Sequence, residues 1–254
     1  MFARGVECPV GASDRQWIED AFGWLAGRPD VAPLAGTVFL PTAEHFPGPF
    51  SGDPEQVRAL VAGTATRMGL AELADLRVVP FERGHAGCAG YPGGAFGGGE
   101  EQPSVAVDPE LVRRPVELVA TIVHMLAHLR LADVPARDDA RERWFAVYGV
   151  YAGFGIFGAN AAVEVQQDPR ANPSAARTLG LRPARPSHYY SGYLTEEAHG
   201  YALACFAFLR GESAPKWAKH LDTNPRVYMK RSLRHLEAHA SEQLLAVRSV
   251  LSPS

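Results

Sequence analysis

Residues 117–131 read ELVATIVHMLAHLRL. Pro115, just ahead of them, suits the first turn of a helix, where a missing N–H costs nothing. No breaker follows for sixteen residues, and so apolar a run predicts a helix buried in the core. His124 and His128 stand four residues apart, about 400° of helical rotation, so both imidazoles leave the same face. Two rings so placed can converge on one metal ion at roughly 2.0–2.1 Å. The spacing is that of the zinc-protease signature H-E-x-x-H, but the chain reads H-M-L-A-H, with Met125 where a general-base glutamate would stand. A thioether cannot accept a proton at neutral pH, so the contribution of such a base, about 10²–10⁴-fold in rate, is missing from that position. Its sulfur is a soft ligand of the kind copper takes. Position i+1, however, turns about 100° away from the histidine face, which argues against ligation. The competing reading is that both histidines are core residues, each bonded to a backbone carbonyl.

Working outward, 254 residues allow one large domain or two small ones. A hydrophobic share of 46% and a charged share of 21% are those of an ordinary globular protein. A net charge of −3 gives no reason to expect nucleic acid or an anionic membrane as partner. Residues 1–12, MFARGVECPVGA, lack the apolar core of a signal peptide, and no stretch approaches about 18 uninterrupted apolar residues. Cys8, Cys88 and Cys205 are odd in number and far apart, so they form neither a disulfide framework nor a Cys-x-x-Cys zinc site. A cytoplasmic location is the expectation, with no membrane contact.

On the N-terminal side of the histidine helix, Ser13 with Gln16 reads as a capping box. It opens a helix whose Trp17, Ile18, Ala21, Trp24 and Leu25 recur at helical spacing and which Gly27 ends. Thr37–Leu40 reads as a short strand closed by Pro41. Asp53-Pro54 starts a second helix reaching about Met68. Leu76–Glu82 is a strand that Pro80 confines to an edge. Residues 84–99, GHAGCAGYPGGAFGGG, hold eight glycines without a following Gly-Lys-Ser/Thr, so they are no phosphate loop. They read as a flexible loop or open hairpin over a cleft, with His85, Cys88 and Tyr91 given no chemical role. Ser104–Asp108 is a strand leading into the histidine helix.

On the C-terminal side, a charged turn from Ala132 to Arg143 leads into a helix running to about Asn160. Gly149, Gly153, Gly155 and Gly158 would let it approach a neighbour closely. An antiparallel return brings Glu142 beside His128, which makes it the candidate third ligand, because catalytic zinc commonly takes two histidines and a carboxylate. The alternative is a solvated first-turn carboxylate favoured by the helix dipole. Residues 166–192 read as a long surface loop ending in His188-Tyr189-Tyr190. Thr195 caps a helix over Glu196–Leu209, with His199 on the Glu196 side. Asn224-Pro225 begins a last long helix towards Leu251, whose Lys230, Arg231, Arg234 and His235 read as a solvated basic face paired with acidic neighbours. There are no repeats and no linker, so residues 1–254 are read as a single α+β domain, mostly helical.

Four segments together carry a resemblance: VFLPTAEHFPGPFSGDPEQVRALV, SVAVDPELVRRPVELVATIVHMLAHL, GVYAGFGIFGAN and GYLTEEAHGYALACFAFLRGESAPKWAKHL. The chain from about residue 37 to 240 resembles a group of uncharacterised bacterial zincin-like proteins with an H-E-x-x-H helix. The resemblance implies a zincin-like metallopeptidase fold, a small sheet whose strand Ser104–Asp108 edges the active-site cleft, and the histidine helix as its floor. It places two ligands on His124 and His128, and a Glu-x-x-x-Asp pattern on Glu142 and Ala146. The chain thus departs twice, at Met125 and at Ala146.

Three functions follow as expectations. The first is a degenerate zincin-like protein, with zinc as its expected metal, reused to bind a small-molecule or peptide ligand or to serve as the partner subunit of another protein. The second is a biosynthetic enzyme running a transfer, elimination or cyclisation in the old cleft, with His124 or His128 as acid or base. The third is a zinc hydrolase whose lost base is replaced by Glu196, Glu197 or His199. Which of His45, His85, His188 and His199 reaches the cleft is not legible at this level.

Overall fold

The structure, a computed structural model, describes residues 7–32, 34, 36–46, 51, 53–80, 94–97, 104–107, 111–134, 138–167 and 194–251. In chain order the helices are α1 (Ala12–Ala26), α2 (Pro54–Arg67), α3 (Pro115–Arg130), α4 (Asp138–Tyr151), α5 (Gly155–Gln167), α6 (Glu196–Leu209), α7 (Thr223–His239) and α8 (Glu242–Leu251). Strands β1 (Arg77–Pro80), β2 (Gly94–Gly97) and β3 (Ser104–Val107) lie between α2 and α3. The fold is α+β and mostly helical.

Two helices form the interior. Every residue of α3 from Glu117 to Ala127 is buried, and so are Glu196 and Ala198 through Leu209 of α6. Helices apolar on all sides must be enclosed by others. Around α3 lie α2, α4 and α5; around α6 lie α1, α4, α5, α7 and α8. The α4–α5 pair touches both buried helices and joins the two halves of one core. On the other face of α4, Trp144 meets Trp17 and Trp24 of α1 edge-on, with Arg143 over the Trp17 ring.

Local chemistry sets several helix ends. The Asp53 side chain accepts from the N–H groups of Glu55 and Gln56, and Pro54 follows at the first turn. Thr195 accepts from the N–H of Ala198 to start α6. For α1 the Ser13 capping box is not formed: the helix begins at Ala12, after Gly11, without a side-chain cap. The helix expected to reach Asn160 is two helices. Gly153 sits at φ +87°, with its N–H on Val150 O and the Phe154 N–H on Gly149 O. That paired bonding closes a helix end and needs the left-handed conformation that glycine reaches without steric cost. The last long helix is also divided, at Ala240, whose backbone is extended. Ser241 Oγ then accepts from the Leu244 N–H at 3.2 Å, and α8 starts.

The sheet has the order β1–β3–β2, with β1 parallel and β2 antiparallel to β3. Pro80 lies on the edge strand β1, as a residue without a ladder donor must. Gly94–Gly97, inside the stretch read as a flexible loop or open hairpin, form a strand antiparallel to Ser104–Val107; residues 81–93, with His85, Cys88 and Tyr91, lie outside the described residues. Ser104–Val107 is the central strand, so the strand packed on the histidine helix is chiefly β2. Thr37–Leu40 is not a strand: the Phe39 N–H instead bonds Gly153 O, and its ring stacks on Phe154 at 4.4 Å between centroids. Most of the expected loop 166–192, with His188, also lies outside the described residues.

Candidate metal centre

The two histidines that share a face of α3 meet one carboxylate from α4. His124 Nε2 lies 2.7 Å from Glu142 Oε2, His128 Nε2 lies 3.3 Å from the same oxygen, and the two Nε2 atoms are 3.1 Å apart. Three donor atoms on the corners of one small triangle are the arrangement a shared cation needs. Tetrahedral ligands at about 2.05 Å from an ion stand about 3.3 Å from one another. Among the described residues, His124, His128 and Glu142 are the group of histidine, cysteine and acidic side chains able to hold a metal ion.

Hydrogen bonding alone accounts poorly for this triangle. A neutral imidazole carries one N–H. If both Nε2 atoms bear hydrogen, each can donate to Glu142, but two N–H groups then face each other across 3.1 Å. If one does not, it can accept from the other ring's N–H, but its lone pair still lies beside the Glu142 oxygen. A cation at the centre relieves either conflict.

Protonation favours ligation as well. Burial pushes the His124 pKa down, the Glu142 hydrogen bond opposing it, so the ring is held neutral. Burial would raise Glu142, but hydrogen bonds from His124 and His128 outweigh it and hold the carboxyl near a pKa of about 2. Neutral imidazole and ionised carboxylate are the forms that bind metals. Phe145 completes the surroundings, its ring 4.0 Å from that of His128 and edge-on to His124. Phe145 stands three residues after Glu142, on the same face of α4, yet an aromatic at that spacing carries no signal of its own in the sequence.

Glu142 is therefore not simply a solvated first-turn carboxylate: its side chain is 14% exposed and faces both histidines. The antiparallel return that suggested it is present, helped by Gly149, where a Cβ would come within 3.0 Å of Val123 on α3. Met125, 2% exposed, belongs to the core. Ala146, one turn after Glu142, is half-buried against the same core.

The remaining candidates are elsewhere. Glu196 is buried and accepts from Asn224 Nδ2 at 3.1 Å; Glu197 bonds Tyr228; both are tied to α7. His199 is buried against Gly158 of α5, its Nδ1 without a hydrogen-bond partner, and desolvation lowers its pKa to about 4. None of the three belongs to the metal-capable group. His45 is engaged locally, its Nδ1 accepting from the Leu40 N–H at 3.4 Å and its ring edge-on to Phe39. Cys8 and Cys205 are free thiols. No helix among the described residues is long and apolar enough to cross a membrane. In comparison with known proteins, no family model, no curated protein and no solved structure matches this chain.

Proposed function

We propose that this chain is a degenerate zincin-like protein, one that keeps a zinc-class divalent ion on His124, His128 and Glu142 and does not hydrolyse peptides by the general-base route. The observation that carries the reading is the triangle of donor atoms, 2.7, 3.1 and 3.3 Å on its sides. Three protein ligands leave a fourth tetrahedral position open, and an ion there supplies a Lewis-acidic contact to an oxygen, nitrogen or sulfur ligand. The chain's own contribution is to fix all three by burial and by the Phe145 ring. A proton acceptor is missing where H-E-x-x-H enzymes have one, since Met125 is in the core. Glu196, Glu197 and His199 are not grouped with the ligands. The centre therefore suits binding of a ligand, or of a partner's donor group, better than hydrolysis.

The test is elemental analysis of untagged protein after zinc loading and desalting. About one zinc per chain is expected, falling below a tenth of that in His124→Ala and in Glu142→Ala. A chain that takes up no zinc, or whose zinc survives both substitutions, would overturn the proposal. Efficient cleavage of a peptide library by the zinc-loaded protein would overturn its second half.

A further inference from the structure

A cleft remote in sequence from the metal centre has cations at five of its ten lining positions. It lies between the short 3-10 helix Lys216–His220 and α7, has a volume of about 500 Å³, and takes in Lys216, Lys219, Arg226, Lys230 and Arg234. No carboxylate lines it. None of the five forms an ion pair among the described residues. Lys230 and Arg234 are exposed, as the reading of a solvated basic face expects, but the acidic partners of that reading are not in place among the described residues.

Arg226, Lys230 and Arg234 follow at intervals of four, so they make one stripe along α7 and repel each other at each turn. Like charges so placed destabilise a helix unless an anion lies over them. Lys216 and Lys219 add two more charges to the same cleft in a chain whose net charge is −3. Buried Leu233 gives the cleft an apolar lining between the charges. The volume is within the range of small-molecule sites, about 300–1,000 Å³. The stripe from Arg226 to Arg234 is only about 12 Å long, too short to follow a nucleic-acid backbone over many phosphates. Guanidinium forks and ammonium groups together match phosphate oxygens.

We propose that this cleft binds the di- or triphosphate group of a small molecule. The shared chemistry is a compact chain of phosphates, whether inorganic or esterified to an organic group that lies on the Leu233 lining. The full-length protein is titrated by calorimetry with tripolyphosphate, with a nucleoside triphosphate free of divalent metal, and with a 20-nucleotide single strand, at low and at moderate salt. One tripolyphosphate per chain is expected, with affinity weakened by salt and at least tenfold lower in Lys230→Glu/Arg234→Glu and in Lys216→Glu/Lys219→Glu. Arg58→Glu, at an exposed position of α2 that does not line the cleft, should change affinity less than twofold. Tighter binding of the nucleotide than of tripolyphosphate would assign the organic ester; equal binding would assign the phosphates alone. Both support the proposal. It is overturned if neither phosphate compound binds, if the Arg58 variant loses as much as the cleft variants, or if the single strand competes more strongly than tripolyphosphate. The paired variants draw on two different elements, so misfolding of one leaves the other to decide.

Discussion

At the scale of single residues, Met125 stands where an H-E-x-x-H helix carries its glutamate. Its neighbours in sequence, His124 and His128, converge on Glu142, while its own side chain is 2% exposed in the core. Restoring glutamate there would not simply restore a base. The new carboxylate would be buried in the hydrophobic core, at a cost of about 3 kcal/mol or more. Met125→Glu is therefore expected to lower the denaturation midpoint markedly and to yield no peptidase activity. Urea unfolding and a peptide-library assay on the zinc-loaded variant check both halves. A stable Met125→Glu protein that cleaves peptides would show that the residue reaches the centre. The residue pattern was readable in advance for the ligands: the four-residue spacing fixed a shared face for the histidines, and the antiparallel return pointed to Glu142. Phe145 was not singled out, because an aromatic beside a candidate ligand looks like any other core residue until the rings are seen together.

At the scale of elements, close approach is what lets buried helices share the core. The most extensive helix pairing is α6 on α7. It is made possible at Gly200, where a Cβ would stand 2.6 Å from Tyr228 Cβ and 2.9 Å from the Met229 backbone N. Neither neighbour is the free end of a flexible side chain, so Gly200→Ala must push the helices apart. A loss of about 1–3 kcal/mol is expected from such overpacking, even though alanine is the better helix former. Chemical denaturation measures it; an unchanged or raised stability would mean that α7 can shift at little cost. The four glycines of the α4–α5 segment divide by role in a way their spacing did not reveal. Gly149, Gly155 and Gly158 face neighbouring side chains, whereas Gly153 takes a positive φ and ends a helix. Asp53-Pro54 and Thr195 were legible as starts because capping is local chemistry. Ser13 was a false start and Ser241 a missed one, since whether a hydroxyl caps depends on where the chain enters the helix.

At the scale of the whole molecule, buried titratable groups tie folding to pH. His199 of α6 is buried against Gly158 of α5, and desolvation takes its pKa from the usual 6.5 down to about 4. Between those values the unfolded chain binds a proton that the folded chain does not. Stability therefore rises with pH across this window and is lost as pH falls through it. At pH 5 the single group costs about 2 kcal/mol relative to neutral pH. Unfolding free energies at pH 7 and pH 5 for wild type and His199→Gln should show a drop smaller by about that amount in the variant. Equal drops would mean that the native ring accepts a proton, and so meets water or a carboxylate. The fold-level reading of a mostly helical α+β chain agrees with the observed class. The zincin-like likeness remains a proposal that rests on the ligand triangle.

The sequence by itself determined the helices with strong apolar runs or local caps, the shared face of His124 and His128, and the absence of a base at position 125. These depend on spacing and on side-chain chemistry within a few residues. Tertiary structure alone decided that Glu142 closes the triangle, that His199 lies elsewhere, that Ser104–Val107 is the central strand, and that five cations from separate elements line one cleft. Those outcomes join residues far apart in the chain, and their energies come from burial and Coulomb terms that exist only once the helices have packed.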